Sequence, residues 1–270
     1  MKLQHWLSIN RNYFSDTDMR YLLKNIFNLK SSSLMSTDKF LTNKQLASLD
    51  TVKKLYIEGM PLAYILGKED FFGFELKISR DVLIPRKETE LIAEEAIRII
   101  KENNLKYILD LCCGSGNIGL SIKKFLDKDI FLTGCDISTK ALKIAALNNQ
   151  IHNAGIKYIN SDLLSAFKKQ VFDLIVANPP YVESRNIKGS LSYEPKLALE
   201  AGSDGLFFIR KILKQAHLYL KDSGFLIMEI GYRHKDPVRE LIDSFGNYNT
   251  VGWIKDYSQH FRGVVIKKAK

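Results

Sequence analysis

The stretch Val171-Phe-Asp-Leu-Ile-Val-Ala-Asn-Pro-Pro-Tyr181 decides the fold. Phe172, Leu174, Ile175, Val176 and Ala177 form a short apolar run of the kind a strand buried on both faces requires. Asn178, Pro179, Pro180 and Tyr181 end it, because two consecutive prolines cannot donate to a sheet ladder. A buried strand of this type belongs to a parallel sheet, and the carboxyl ends of such strands are where ligands bind.

Asn178 and Pro179 offer two acceptors, a side-chain oxygen and a backbone carbonyl, and Tyr181 offers a flat ring. That set suits a planar NH2 group, with one acceptor for each hydrogen and a wall for its face. The nitrogen of an amide or exocyclic amine is a poor nucleophile. Orientation, and acceptors that favour a developing positive charge, are what it lacks.

Outward from this stretch the chain alternates strand and helix. Tyr107–Leu111, Ile130–Cys135 and Tyr158-Ile159 read as strands, as do Gly224–Glu229, Val251–Asp256 and Arg262–Ile266. Helical patterns follow Thr89 or Glu88, carry Leu120, Ile122 and Phe125, follow a Ser138 cap, and occupy Gly205–Leu220 and Val238–Phe245. The pattern predicts a doubly wound α/β sheet with right-handed crossovers. The last two strands have no helix between them and are expected antiparallel.

Residues 1 to about 66 read differently, as helices. Leu3, Trp6, Leu7 and Tyr13 begin one pattern. Met19, Leu22, Leu23, Ile26 and Phe27 continue it behind a Ser15 or Asp16 cap. Lys30–Ser33 reads as a loop, and Leu46, Leu49, Val52, Leu55 and Tyr56 form a stripe ended by Gly59 and Pro61. Phe72, Phe74, Leu76 and Ile78 alternate, turn at Ser79–Asp81 and run into Val82–Ile84, which predicts a β-hairpin. The expected division is 1–70 as a helical domain, 71–86 as a hairpin linker and 87–270 as the α/β domain.

Composition narrows the class. The chain has 270 residues, is 46% apolar and carries a net charge of +10, so it is globular and basic. The charge is spread along the chain. It fits a generally basic protein or one with a phosphate- or carboxylate-rich partner. No run has the length and apolarity of a membrane span, and Met1–Trp6 lacks the apolar core of a signal peptide, so a cytoplasmic setting is expected. Cys112, Cys113 and Cys135 lack metal-ligand spacing and read as small buried residues in a reducing compartment. No metal is expected.

Gly114, Gly116 and Gly119 follow the first α/β strand in G-x-G-x-x-G spacing, and Asp136 closes the next strand. Glycines let a backbone approach a ligand, and a carboxylate there grips ribose hydroxyls. A nicotinamide dinucleotide is one candidate. Asp110 in the strand end, Asp162 or Leu163 placed to meet an adenine ring, and the NH2-gripping set favour S-adenosylmethionine instead. Cys112, Cys113 and Ser115 complete the loop, and Arg86 ahead of its helix can reach the site mouth.

These residues resemble the protein-(glutamine-N5) methyltransferases that modify bacterial peptide-chain release factors. Pro61–Gly67 with Phe71 and Gly73, Val82–Glu90, Asp110–Gly119, Asp136, Asn178–Tyr181, Tyr193-Glu-Pro195, Leu197-Ala-Leu199 and Asp204-Gly-Leu206 all match family segments. Asn-Pro-Pro-Tyr alone is shared with adenine-N6 and guanine-N2 methyltransferases of nucleic acids, which are the alternative reading. Cys112 stands where the family has a glycine, Lys87 where it has a proline, and Leu163 where an aromatic residue is common.

The resemblance implies a Rossmann-like class I methyltransferase fold with seven strands and a helical N-terminal substrate-recognition domain. It implies methylation of the glutamine in the release factor's Gly-Gly-Gln loop, a monomer, and no stable nucleic-acid or membrane partner. Asn178, Pro179 and Tyr181 are the expected catalytic residues. Asp110, Cys112, Cys113, Gly114, Ser115, Gly116, Asp136, Asp162, Leu163 and Asn178 are expected at the cofactor. Asn178, Pro179, Pro180, Tyr181, Arg86 and Glu194 are expected at the substrate.

Overall fold

A computed structural model describes residues 1–27, 40–126 and 129–269. They form two compact units, Met1–Lys68 and Glu69–Lys270. The first holds four helices, α1 (Leu3–Asn10), α2 (Asp16–Phe27), α3 (Asn43–Ile57) and α4 (Leu62–Leu66). Ser15 caps α2 by accepting from the Asp18 N–H at 3.0 Å. Thr42 and Gln45 form a reciprocal capping box on α3. Trp6, Leu22 and Leu49 are fully buried where the helices meet. Each such side chain contributes on the order of 1.5–3 kcal/mol by leaving water. Tyr13 lies outside the expected helical run, in a short 3-10 turn, Arg11–Tyr13. The expected Lys30–Ser33 loop lies outside the described residues.

A two-stranded sheet follows, β1 (Lys68–Phe71) and β2 (Phe74–Lys77). The hairpin therefore lies earlier than the sequence pattern placed it. Its turn is Phe72-Gly73, with φ of 48° and 81°, the left-handed pair that a tight hairpin needs. Ser79–Asp81 is a turn, with the Val82 N–H bonded to the Ser79 carbonyl. Val82–Ile84 belongs to no strand.

The remaining elements are α5 (Lys87–Asn103), β3 (Tyr107–Leu111), α6 (Asn117–Phe125), β4 (Phe131–Asp136), α7 (Thr139–His152), β5 (Lys157–Asn160), β6 (Phe172–Ala177), α8 (Lys196–Leu199), α9 (Phe207–Tyr219), β7 (Leu220–Glu229), α10 (Lys235–Phe245), β8 (Tyr248–Lys255) and β9 (Phe261–Lys268). The seven strands β3 to β9 lie in the order β5-β4-β3-β6-β7-β9-β8. Strands β3 to β7 pair in parallel, and β9 runs antiparallel between β7 and β8. The order reverses beside β3, which makes the carboxyl edge of β3 and its neighbours the switch point where ligands bind.

Register carries the argument to single residues. Leu111 lies level with Cys135 on one side and Ala177 on the other, all three buried in the sheet. The next residue of each strand or turn is Cys112, Asp136 or Asn178. Three distant stretches of sequence thus deliver their chemistry to one edge.

Candidate active site

A cleft of about 980 Å³ opens at that edge. Its floor is the glycine loop, Cys112 to Ser115, with Asp136, Asp162 and Leu163 beside it. Arg86, Asn178 and Pro180 line it as well. A second pocket of about 440 Å³ is lined by Arg86, Asn178, Pro179, Tyr181 and Leu191, among others. Leu83, Arg86, Asn178 and Ala198 line both cavities. Asn178 therefore stands where two cavities share a wall.

The loop geometry follows from its residues. Gly114 has φ +53°, and nothing lies within 4 Å of where its Cβ would stand, so a ligand can approach the bare backbone. The Gly114 N–H donates to Asp136 Oδ2 at 3.0 Å, and the Ser138 N–H donates to Oδ1 at 2.8 Å. Burial raises the Asp136 pKa against the pull of those amides. Each of its oxygens keeps a lone pair for a ribose hydroxyl. Ile137, Ala141 and Leu163 supply apolar surface for a flat base. An open glycine backbone, a carboxylate and an apolar slot in one cleft fit S-adenosylmethionine.

Cys112 and Leu163 both adopt left-handed backbone, with φ of 59° and 48°. A glycine at position 112 would adopt the same backbone without strain. Burial pushes the thiols of Cys112 and Cys113 well up, so neither is a reactive thiolate. All three cysteines are free. Among the described residues, no group of three or more His, Cys, Asp and Glu side chains could hold a metal ion.

Three residues expected at the site lie off the walls of both cavities. Asp110 and Gly116 were placed at the cofactor, yet neither lines the cleft. Strand alternation turns Asp110 behind the loop, where Oδ2 accepts from the Gly119 N–H at 2.9 Å and Oδ1 has no partner. Burial drives its pKa up to about 7, with the Asp136 charge adding to it. Gly116, at φ +81°, starts α6 and passes over Tyr158, whose Oη would stand 2.6 Å from an added Cβ. Glu194 was placed at the substrate, yet it lines neither cavity. Its oxygens accept from the Ile84 N–H and from the Arg86 guanidinium, so it holds the segment before α5 in place.

The Asn-Pro-Pro-Tyr turn has partners that the sequence reading missed. Asn178 Nδ2 donates to Thr89 Oγ1 at 3.2 Å, from the first turn of α5. Tyr181 Oη donates to Glu229 Oε1 at 2.9 Å, at the end of β7. The Glu229 charge, followed by burial, holds the Tyr181 phenol well above its ordinary pKa. One signal was available: Glu229 is a carboxylate closing the apolar run Phe225-Leu-Ile-Met228 at the ligand-binding edge of the sheet.

A nucleoside cleft at the switch point, sharing its asparagine wall with a side pocket, is the layout of a class I methyltransferase. Relatives agree with the fold and narrow it. The family described as "Methyltransferase small domain" matches residues 90–194. A Pyrococcus furiosus methyltransferase of known structure superposes with TM-score 0.52 at 17% identity, covering 84% of this chain and 98% of that one. A release factor glutamine methyltransferase of Fusobacterium nucleatum is 39% identical over 217 residues, 77% of this chain and 60% of that protein's length. One from Thermodesulfovibrio yellowstonii is 32% identical over 269 residues, 97% of this chain and 96% of that protein. The chain belongs to the release factor glutamine methyltransferase family.

Proposed function

We propose that the protein methylates the side-chain N5 of the glutamine in the Gly-Gly-Gln loop of peptide-chain release factors. The observation that carries this reading is the position of Asn178, shared by the cofactor cleft and the smaller pocket. Membership of the family supports the substrate.

Asp136 and the Gly114 backbone hold the cofactor's ribose side, and Leu163 packs on its base. S-adenosylmethionine, when bound, supplies an electrophilic methyl group. Asn178 Oδ1 and the Pro179 carbonyl accept the two hydrogens of the glutamine NH2. Tyr181 covers the amide plane, and Arg86 and Pro180 close the sides. Holding the nitrogen in line is the main contribution, worth on the order of 7–11 kcal/mol in favourable cases. The N-alkylated amide is strongly acidic before it loses its proton, so the chemistry needs no strong base.

The helical unit within residues 1–70 serves as the docking domain for the release factor, with 71–86 as linker and 87–270 as the catalytic domain. The protein acts in the cytoplasm as a monomer, without a stable nucleic-acid partner. No helix of the described residues is long and apolar enough to cross a membrane.

The test offers methyl-labelled S-adenosylmethionine with purified release factor in one arm and total RNA and DNA in another. Label on the factor supports the proposal. Label on nucleic acid alone favours the alternative that Asn-Pro-Pro-Tyr shares with nucleic-acid methyltransferases.

A further inference from the structure

We propose that Asn148 is a positioning residue for the cofactor loop: it ties the Ser115 carbonyl to the backbone of β2, and S-adenosylmethionine affinity depends on that tie. This rests on the cofactor assigned to the cleft and not on the identity of the methyl acceptor.

The loop needs such a tie. Ser115 lies between Gly114 and Gly116, whose φ of 53° and 81° mark the left-handed backbone that glycine adopts freely. Either glycine can swing the peptide groups around Ser115, yet Ser115 lines the cleft. Strand β4 holds the front of the loop, through the Cys113 N–H on the Cys135 carbonyl at 3.0 Å and the Gly114 N–H on Asp136. At the back, the Ser115 carbonyl accepts from Asn148 Nδ2 at 3.0 Å.

Asn148, on α7, is fully buried. Its Oδ1 accepts from the Lys77 N–H at 2.8 Å, and its Nδ2 donates to the Lys77 carbonyl at 2.9 Å. The amide thus exchanges both bonds with Lys77, as a residue of a third strand would. The other hydrogen of Nδ2 goes to Ser115. Turning the amide over would set Oδ1 against two carbonyls and Nδ2 against an N–H, so its orientation is fixed. One turn further along α7, His152 Nε2 lies 2.8 Å from the Glu75 carbonyl. A carbonyl only accepts, so that nitrogen carries the proton. Glu75 and Lys77 are two residues apart and present their backbone groups to the same edge of β2.

The two contacts differ in what they hold. His152 holds the hairpin alone, whereas Asn148 holds the hairpin and the loop together. Neither residue lines the cleft or the smaller pocket. Asn148→Leu makes none of the three bonds. Asn148→Asp keeps an acceptor for Lys77 but has at most one hydrogen for two carbonyls. Either change lets Ser115 leave its binding conformation, and the cofactor then binds only the competent fraction. Affinity falls, while the chemistry of the loaded protein is unchanged.

The experiment titrates S-adenosylmethionine calorimetrically into the wild type, Asn148→Leu, Asn148→Asp and His152→Leu, without release factor, and records the thermal midpoint of each. Asn148→Leu should weaken binding by roughly five- to thirtyfold. Asn148→Asp should shift in the same direction. Methyl transfer by both at saturating cofactor should stay within about twofold of wild-type kcat. His152→Leu should melt earlier yet bind like the wild type, which separates a loosened hairpin from a loosened loop. Residue-resolved amide exchange in the wild type needs no variant. Bound cofactor should slow exchange of the Lys77 N–H, whose acceptor is Asn148, and leave the Tyr107 N–H on Asp173, at the opposite end of β3, unchanged. If Asn148→Leu does not fold, Asn148→Asp and the wild-type exchange still decide.

Wild-type affinity in a folded Asn148→Leu or Asn148→Asp, an equal loss in His152→Leu, or a Lys77 amide indifferent to cofactor would each overturn the inference. A wild type that binds no S-adenosylmethionine overturns the cofactor assignment and the inference with it. A wild type that binds cofactor but labels no release factor overturns the proposed methyl acceptor alone, and the binding and exchange results still support the role of Asn148.

Discussion

Arg86, on the segment leading into α5, and Glu194, on the segment leading into α8, form an ion pair whose acidic partner is only 2% exposed. The second Glu194 oxygen takes the Ile84 N–H at 3.1 Å. One carboxylate therefore fixes the stretch that supplies Leu83, Pro85 and Arg86 to the cleft.

Glu194→Ala should destabilise the protein by about 2–3 kcal/mol, because it strands a buried N–H and a guanidinium that is only partly solvated. Arg86 keeps a third of its side chain in water, which holds the figure below that of a fully buried pair. Urea denaturation measures this. Cofactor affinity should fall in the same variant, since the cleft wall loosens. An unchanged midpoint would show that the segment is held elsewhere.

Asp110 predicts how stability changes with pH. Its folded pKa of about 7 stands above the ordinary 3.8, so the folded state holds the proton more tightly than the unfolded one. The associated stability is fully present below about pH 4 and is lost as pH rises toward 7, at no more than about 1.4 kcal/mol per pH unit. Glu229 adds to the same slope. Asp110→Asn keeps an acceptor for the Gly119 N–H and should make the slope shallower. Denaturant midpoints from acid to mildly alkaline pH measure it, and an equally steep variant would contradict the assignment.

Gly116 and Tyr158 form a coupled pair. Gly116→Ala places a Cβ 2.6 Å from Tyr158 Oη and forces a left-handed alanine. The backbone alone costs about 1–2 kcal/mol. Tyr158→Phe removes a buried hydroxyl that has no partner, so it should be neutral or stabilising. The double variant should recover the clash but not the backbone cost. Additive midpoints in the two single variants and the double would refute the coupling.

Much of this was legible from the residues. Apolar runs marked the strands, and Gly114, Asp136 and Asn178 each followed one, so the edge of the sheet could be read before the sheet was seen. The hairpin was misplaced because Phe72, Phe74, Leu76 and Ile78 alternate straight through a turn, and periodicity carries no sign of φ. Asp110 was assigned to the cofactor because it abuts the glycine loop. Strand alternation points it inward instead, a fact of register rather than of composition. Thr89 read as a helix-starting residue, and its contact with Asn178 joins stretches 89 positions apart. Such pairings exist only in the folded chain.

Cys112 tests the cost of departing from glycine. At φ +59° a cysteine is strained by about 1–2 kcal/mol, while glycine returns about 0.5–1 kcal/mol of that as unfolded-state entropy. Cys112→Gly should therefore gain on the order of 1 kcal/mol or less, with cofactor affinity preserved or improved. Denaturation with and without cofactor measures both. A loss of stability would mean that the thiol's packing outweighs the backbone.

The central claim is that Asn178 presents an acceptor to a glutamine side chain beside the cofactor cleft. The most direct measurement is mass mapping of release factor after incubation with the protein and S-adenosylmethionine, using the wild-type protein, Asn178→Ala, and a factor whose loop glutamine is replaced. The account predicts one added methyl group on the Gly-Gly-Gln glutamine with wild type. With Asn178→Ala it predicts a loss on the order of a hundredfold or more in a protein that still folds, its thermal midpoint lowered only by the loss of one side-chain hydrogen bond to Thr89. It predicts no methyl group on the replaced-glutamine factor. A methyl group elsewhere on the factor, or undiminished methylation by Asn178→Ala, would contradict it.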